Sequence, residues 1–272
     1  MLHKLQSFMQ IKDDERELNR ARYRALSQQL PLMYGIITIN TLAVAYTHIE
    51  IAPLFLTLLA PVLLLVFALA RTVKYVVGRQ RLLSDEQIAK SLRNTIKLVI
   101  PLSAIFTLWG LSFYQYGDAH QHAQIVFFIG VTTIVSAFCL MHLRQAAMLH
   151  LFIVSIATCT FLLTFGEPVL TAIALNLGVV TPVFATLLLQ SEKDFARMIL
   201  QKRQQRQQHS KLRALNEENK RLANTDSLTG LANRRQFLAE IDECVSRHGK
   251  LGSEFVVTLL ELDGFKPIND VF

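Results

Sequence analysis

Between Leu30 and Leu189 the chain repeats one pattern, a long apolar run followed by a short polar connection. The runs lie at residues 30–47, 51–70, 96–114, 125–141, 147–165 and 169–189. Each approaches the roughly twenty residues that carry an α-helix across a bilayer, so about six membrane spans are expected. No Asp, Glu, Lys or Arg falls near the middle of a run, which gives no support to transport along a charged path. Residues 1–29 are mixed in charge (Lys12, Asp13, Asp14, Glu15, Arg16, Glu17) and read as a cytoplasmic helix approaching the membrane. From Gln190 to Ala223 the composition turns to Gln, Lys, Arg and Glu without Gly or Pro, the pattern of a continuing helix. Within it Leu212, Leu215, Asn219 and Leu222 have the 3-4-3 spacing of heptad a and d positions. Asn219 at an a position favours a parallel dimer in fixed register. Met198, Gln201, Gln205 and Gln208 in the same frame make a poor seam, so the coiled coil is short, or the helix is single and solvated.

After this helix, residues 226–233 break the pattern, and Asn233 is placed as N-cap of a helix over 234–247. Phe237, Leu238, Ile241 and Val245 give that helix an apolar stripe suited to packing on a sheet. Gly249 and Gly252 mark a turn, and the run 255–260 lacks alternation, as a strand buried on both faces does. The fold class expected is therefore mainly α: a polytopic helical membrane domain at 30–189, a helical linker at 190–223, and the start of an α/β domain at 224–272.

Composition agrees with a membrane protein. The 272 residues are 51% hydrophobic and only 18% charged, with mean hydropathy +0.33. The formal charge of +7 is unevenly distributed. Arg71, Lys74, Arg79, Arg81, Lys90, Arg93 and Lys97 flank one connection, Arg144 another, and Lys193 and Arg197 follow the last run. The other three connections carry His48, Glu50, Asp118, His120, His122 and Glu167, with no Lys or Arg. This is the positive-inside pattern, and it places both termini in the cytoplasm. The cations then face anionic lipid headgroups, not nucleic acid. The first apolar stretch lies too far in for a cleavable signal peptide. Cys139, Cys159 and Cys244 are scattered and indicate neither a disulfide framework nor a zinc site.

For sensing, Asp118, His120 and His122 could form an outer metal or pH site with His48, or be solvated loop residues. His142 and His150 are expected at the inner boundary, against headgroups or helix ends. Trp109, Tyr114 and Tyr116 fit an interfacial aromatic belt.

The chemistry concentrates at the tail. Glu261 and Asp263 stand at the carboxyl end of the expected strand, where open α/β sheets bind ligands. A carboxylate and the Leu262 carbonyl suit Mg²⁺, which takes one or two protein carboxylates plus substrate phosphates. Lys266 offers a point charge for phosphate, and Asn269 a donor and acceptor for a base edge. A solvated strand-to-helix junction is the other reading of the same residues.

Two blocks resemble the GGDEF domain of diguanylate cyclases. One runs Asp226-Ser227-Leu228-Thr229-Gly230-Leu231-Ala232-Asn233-Arg234-Arg235, the other Glu261-Leu262-Asp263-Gly264-Phe265-Lys266-Pro267-Ile268-Asn269-Asp270. The first matches the family pattern throughout; in the second, Glu261 stands where the family commonly has Asp. The resemblance implies a nucleotidyl-cyclase-like fold, GTP as substrate and Mg²⁺ as cofactor. It implies Glu261 and the Leu262 backbone oxygen as metal ligands, Asn269 on guanine, and Lys266 on the triphosphate or the transition-state charge. It further implies a parallel homodimer in a bacterial inner membrane, because cyclic di-GMP requires two GTP molecules from opposing sites. Asp226 and Arg234 or Arg235 are expected to tie the segment to its domain. The turn that names the family is absent from these 272 residues, so the polypeptide as written is expected to be inactive. The alternatives are a degenerate GGDEF domain regulating a following EAL-type phosphodiesterase, or a truncated, non-enzymatic membrane protein. A reporter fused after Phe272 should be cytoplasmic; its recovery on the other side of the membrane would refute the topology.

Overall fold

The computed structural model describes residues 11, 15–79, 83–251, 256–258 and 260. Seven α-helices account for nearly all of them: α1 (Arg16–Thr47), α2 (Ala60–Arg79), α3 (Asp85–Ser112), α4 (Ala119–Leu140), α5 (Arg144–Leu163), α6 (Pro168–Asn224) and α7 (Arg234–Leu251). A π-helical turn, Phe55–Leu59, leads into α2, and a 3₁₀ turn, Phe113–Gln115, ends α3. The chain forms two compact units, Met1–Arg203 and Gln204–Phe272.

The six expected spans correspond to α1 through α6, all long and apolar enough to cross a membrane. The helices run past the apolar runs at their polar ends. Residues 16–29 belong to the same helix as the first span, and much of the basic connection between the second and third spans is helical. Local chemistry sets the starts. Ser84 caps α3 in a reciprocal box with Gln87, and Asp118 caps α4 in the same way with Gln121. Just before that cap Gly117 has φ +90, and a Cβ there would meet the Gln121 side chain at 2.6 Å. Pro168 opens α6, where its missing N–H costs nothing.

The bundle buries hydroxyl-bearing residues beside an apolar core of Leu26, Leu30, Leu92, Ile96, Ile125 and Leu143, and it also turns many large apolar residues outward. Leu32, Ile39, Ile105, Phe127, Ile156 and Val179 are exposed, whereas Thr41, Ser103, Thr107, Thr132, Ser136, Ser155, Thr158 and Thr181 are buried. That apolar exterior suits a lipid solvent, in which small and hydroxyl-bearing residues help hold helices together. Ala137, Ala146 and Ala147 are fully enclosed between neighbouring helices, and a Cβ on Gly110 would stand 3.2 Å from the Phe128 ring. Across the helices Tyr75 and Thr95 share a hydrogen bond at 2.8 Å, Ser103 and His150 one at 2.8 Å, and Thr181 donates to Ser155 at 2.9 Å. Such interhelical bonds average about 0.6 kcal/mol each.

Two expectations about histidines fail. His150 does not meet headgroups; it is 7% exposed and turned into the bundle against Ser103. His48 is not a solvated loop residue; it is fully buried, bonded to the Val44 carbonyl at 2.9 Å and packed on the Phe113 ring. An apolar neighbourhood in the sequence does not show which helix face a histidine occupies.

One ion pair is buried within the first unit. Arg22 of α1 donates to Glu192 of α6 at 2.5 Å, and to Glu15 and Asn19 at 3.3 Å. The Arg22 and Glu192 side chains are 9% and 6% exposed. Removing one partner of such a pair leaves an uncompensated charge and costs about 3–5 kcal/mol, whereas apolar replacement of both is often neutral. Glu192→Ala is therefore expected to lower the unfolding temperature markedly in detergent, and Arg22→Met with Glu192→Leu to restore most of it. A single variant that melts like the parent would show that the pair carries no stability.

Candidate functional site

The first of the two sequence blocks forms a closed turn within the second unit. The Asp226 carboxylate accepts from the Thr229 hydroxyl at 2.8 Å and from the Thr229 and Leu228 amides at 2.9 and 3.3 Å. Gly230, at φ +71, reverses the chain, with its amide on the Asp226 carbonyl at 2.9 Å. That left-handed conformation is open to Gly at little cost. Thr225 and Ala232 then pair as an antiparallel bridge, and the Asp226 amide donates to the Leu231 carbonyl at 2.8 Å.

Asn233 faces both helices. Its side-chain oxygen accepts from the Gln236 amide at 3.1 Å, the N-cap bond expected of it. Its side-chain nitrogen donates to the Ala223 carbonyl at 2.8 Å, and its backbone amide to the Asn224 carbonyl at 2.8 Å. Arg235 adds a bond to the Asn224 side chain at 2.9 Å. The segment thus fixes the start of α7 to the end of α6. Ala223 and Asn224 take part through carbonyls and one side-chain amide at a helix end, which carry no residue-type signature in the sequence. Asp226 holds its own turn together, and Arg235 ties the segment to the preceding helix.

The Thr229 hydroxyl and amide hold the Asp226 carboxyl below its usual pKa. A group with a depressed folded pKa contributes stability above its unfolded value and loses it as pH falls through the folded one. The turn should therefore loosen only under acid conditions below the ordinary Asp range. Asp226→Ala should have that looseness at neutral pH, read as faster hydrogen exchange at the Leu228 and Thr229 amides; unchanged exchange would refute the role.

The second block, with Glu261, Leu262, Asp263, Lys266 and Asn269, lies outside the described residues. Of the strand expected at 255–260, Val256, Val257, Thr258 and Leu260 are described, and they have neither strand structure nor burial. Val256 and Leu260 are 89% and 91% exposed. Phe237, Leu238 and Val245 of α7, the stripe expected to cover a sheet, are likewise about half exposed. A strand buried on both faces needs neighbours to pair with and a layer on each side. No strand is present among the described residues to supply them.

In the bundle, Asp118 is engaged as the cap of α4, with the His120 and Gln121 amides on its carboxylate at 2.9 and 3.1 Å. Those bonds lower its pKa, the Gln121 amide most. His122 stacks on Tyr114 with ring centres 4.0 Å apart. Among the described residues no three His, Cys, Asp or Glu side chains are grouped to hold a metal, which removes structural support from an outer metal site. Trp109 packs against Phe106, Phe113 and Phe128 and donates to the Leu56 carbonyl at 3.1 Å, inside the bundle's aromatic cluster.

Residues 223–272 match the family described as diguanylate cyclase, GGDEF domain. An uncharacterised protein in the hutH 5′ region of Streptomyces griseus is 43% identical over 54 residues, 20% of this chain. The chain spans 22% of the length of that curated relative. No solved structure matches the chain. The turn of Asp226, Gly230 and Asn233 lies within the matched stretch, and so do Glu261, Lys266 and Asn269. Residues 223–272 therefore carry GGDEF-domain sequence, at the C-terminal end of a chain whose preceding part is helical and apolar.

Proposed function

We propose that this protein is a membrane-bound signalling protein of the diguanylate cyclase type, whose intact form condenses two GTP molecules into cyclic di-GMP. The observation that carries the reading is the GGDEF match beginning at residue 223, at the end of the helix that starts as the sixth span. On this reading residues 1–29 lead in from the cytoplasm and 30–189 form the sensor. Residues 190–223 are the signalling helix, and 224–272 open the catalytic domain. Both termini are cytoplasmic, and the membrane is a bacterial inner membrane.

Glu261 and the Leu262 carbonyl form the metal-binding pair, a donor set whose oxygens suit Mg²⁺. The bound ion would neutralise charge on the triphosphate. Asn269 reads the guanine edge, and Lys266 holds phosphate charge. Leu212, Leu215 and Leu222 stand more than half exposed on the single chain. They provide the seam of a parallel dimer that brings two GTP-loaded domains face to face. Glu261 in place of Asp supports one second reading, a domain that binds GTP weakly and regulates an attached EAL-type phosphodiesterase.

In the full-length gene product Glu261→Ala should lower GTP condensation by about a hundredfold or more, the scale at which a misplaced catalytic group acts. Undiminished turnover would refute the metal role. Glu261→Asp separates the readings, since a large gain marks a weakened site and no gain marks a competent one. Leu215→Asp should lower turnover per chain at low protein concentration by opposing association, and a concentration-independent rate would refute the dimer.

A further inference from the structure

A cavity of about 70 Å³ lies inside the bundle, bounded by α1, α2 and α3 and floored by α4 and α5. Its walls at Leu64 and Phe67 of α2 and Leu98, Leu102 and Phe106 of α3 are only partly buried. Both helices pack on α1 and meet each other at the Tyr75–Thr95 bond, while Leu64, Phe67, Leu98 and Leu102 leave the cavity wall between them partly exposed. Arg71, within the second span, lines one end.

The charge on Arg71 has no carboxylate partner among the described residues. Its guanidinium donates to the Tyr34 and Tyr75 hydroxyls at 3.4 and 3.2 Å and lies 5.1 Å from the Tyr75 ring centre. Neutral phenols stabilise a cation without balancing it, and Arg71 stands at the basic end of its span, directly after the apolar run at 51–70. Two further lining groups, the Ser136 hydroxyl and His150 Nε2, are buried and have no partner among the described residues. Ser103 and His150 Nδ1 share a hydrogen bond at 2.8 Å, which leaves Nε2 as the ring nitrogen facing the cavity. The cavity is then lined by a cationic guanidinium, which only donates, and by a hydroxyl and an imidazole nitrogen that are each able to donate. An acceptor-only anion fits that set, and an alkane chain from the bilayer does not.

We infer that this cavity binds a single-chain amphiphilic carboxylate, its head among Arg71, Ser136 and His150 and its chain leaving between α2 and α3. Arginine and carboxylate match as a bidentate pair. The inference rests on reading the six helices as membrane spans, and it names the class of signal the proposed sensor takes. It does not depend on the cyclase reading.

The test uses the full chain in phosphatidylcholine nanodiscs, with [1-¹³C]palmitate as probe and the carboxyl resonance as readout, and without nucleotide. Saturable binding with a shifted resonance is expected. Arg71→Gln should weaken it at least tenfold, as should Leu102→Trp, which fills the chain passage and leaves Arg71 in place. If Arg71→Gln does not fold, Leu102→Trp decides alone. Unchanged affinity in a folded variant would overturn the inference. Displacement of palmitate by phosphatidylglycerol would assign the site to a phospholipid head instead, and acetate binding as tightly as palmitate would remove the role of the chain. Failure of GTP condensation in the intact protein would bear on the cyclase alone.

Discussion

A backbone in lipid has no water to satisfy its N–H and C=O groups, and the rest of this structure follows from that. Each span therefore closes its own hydrogen bonds as a helix, and the prolines are tolerated at the cost of one bond apiece. Pro31, Pro101 and Pro182 all lie within helices. Because the surrounding lipid is as apolar as leucine, side-chain hydrophobicity cannot draw the helices together. Close packing, hydroxyls, small residues and a few strong polar contacts do so instead, which is why buried serines and threonines stand among the leucines and isoleucines of the interior while further apolar residues face outward.

The buried Arg22–Glu192 pair belongs to the same logic at the polar end of the bundle. It joins α1 to α6 at residues 170 positions apart in sequence. Phe195, close by on α6, packs on His142 with ring centres 4.3 Å apart. The last span is thus held at its exit by an ion pair and an aromatic contact. Both sit just beyond the apolar stretch, where a charge can be enclosed without crossing lipid.

Much of this was legible in the sequence, and the reasons differ by element. The spans were readable because length and the absence of charge suffice to identify them. Asn233 was readable as a cap because its side-chain chemistry is specific to helix starts. The interior positions of His48 and His150 were not, since a lone histidine has no periodicity of its own and its face is set by neighbours remote in sequence. Arg22 gave no signal either, in a segment crowded with Arg16, Arg20 and Arg24. The 255–260 run shows the opposite failure. Its composition reads as a strand, yet composition alone supplies no partner, and the described part stays irregular and open to solvent. The positions assigned to chemistry, Glu261, Leu262, Lys266 and Asn269, rest on spacing and family pattern.

The closed turn between α6 and α7 has a mechanical meaning. A flexible joint would let one helix swivel while the other stood still. Here the bridge at Thr225 and Ala232, the doubled hold of Asn233 on Ala223 and Asn224, and the Arg235 bond leave little slack. A twist arriving at the end of α6 would pass to α7 as torque, as through a keyed shaft and not a hinge.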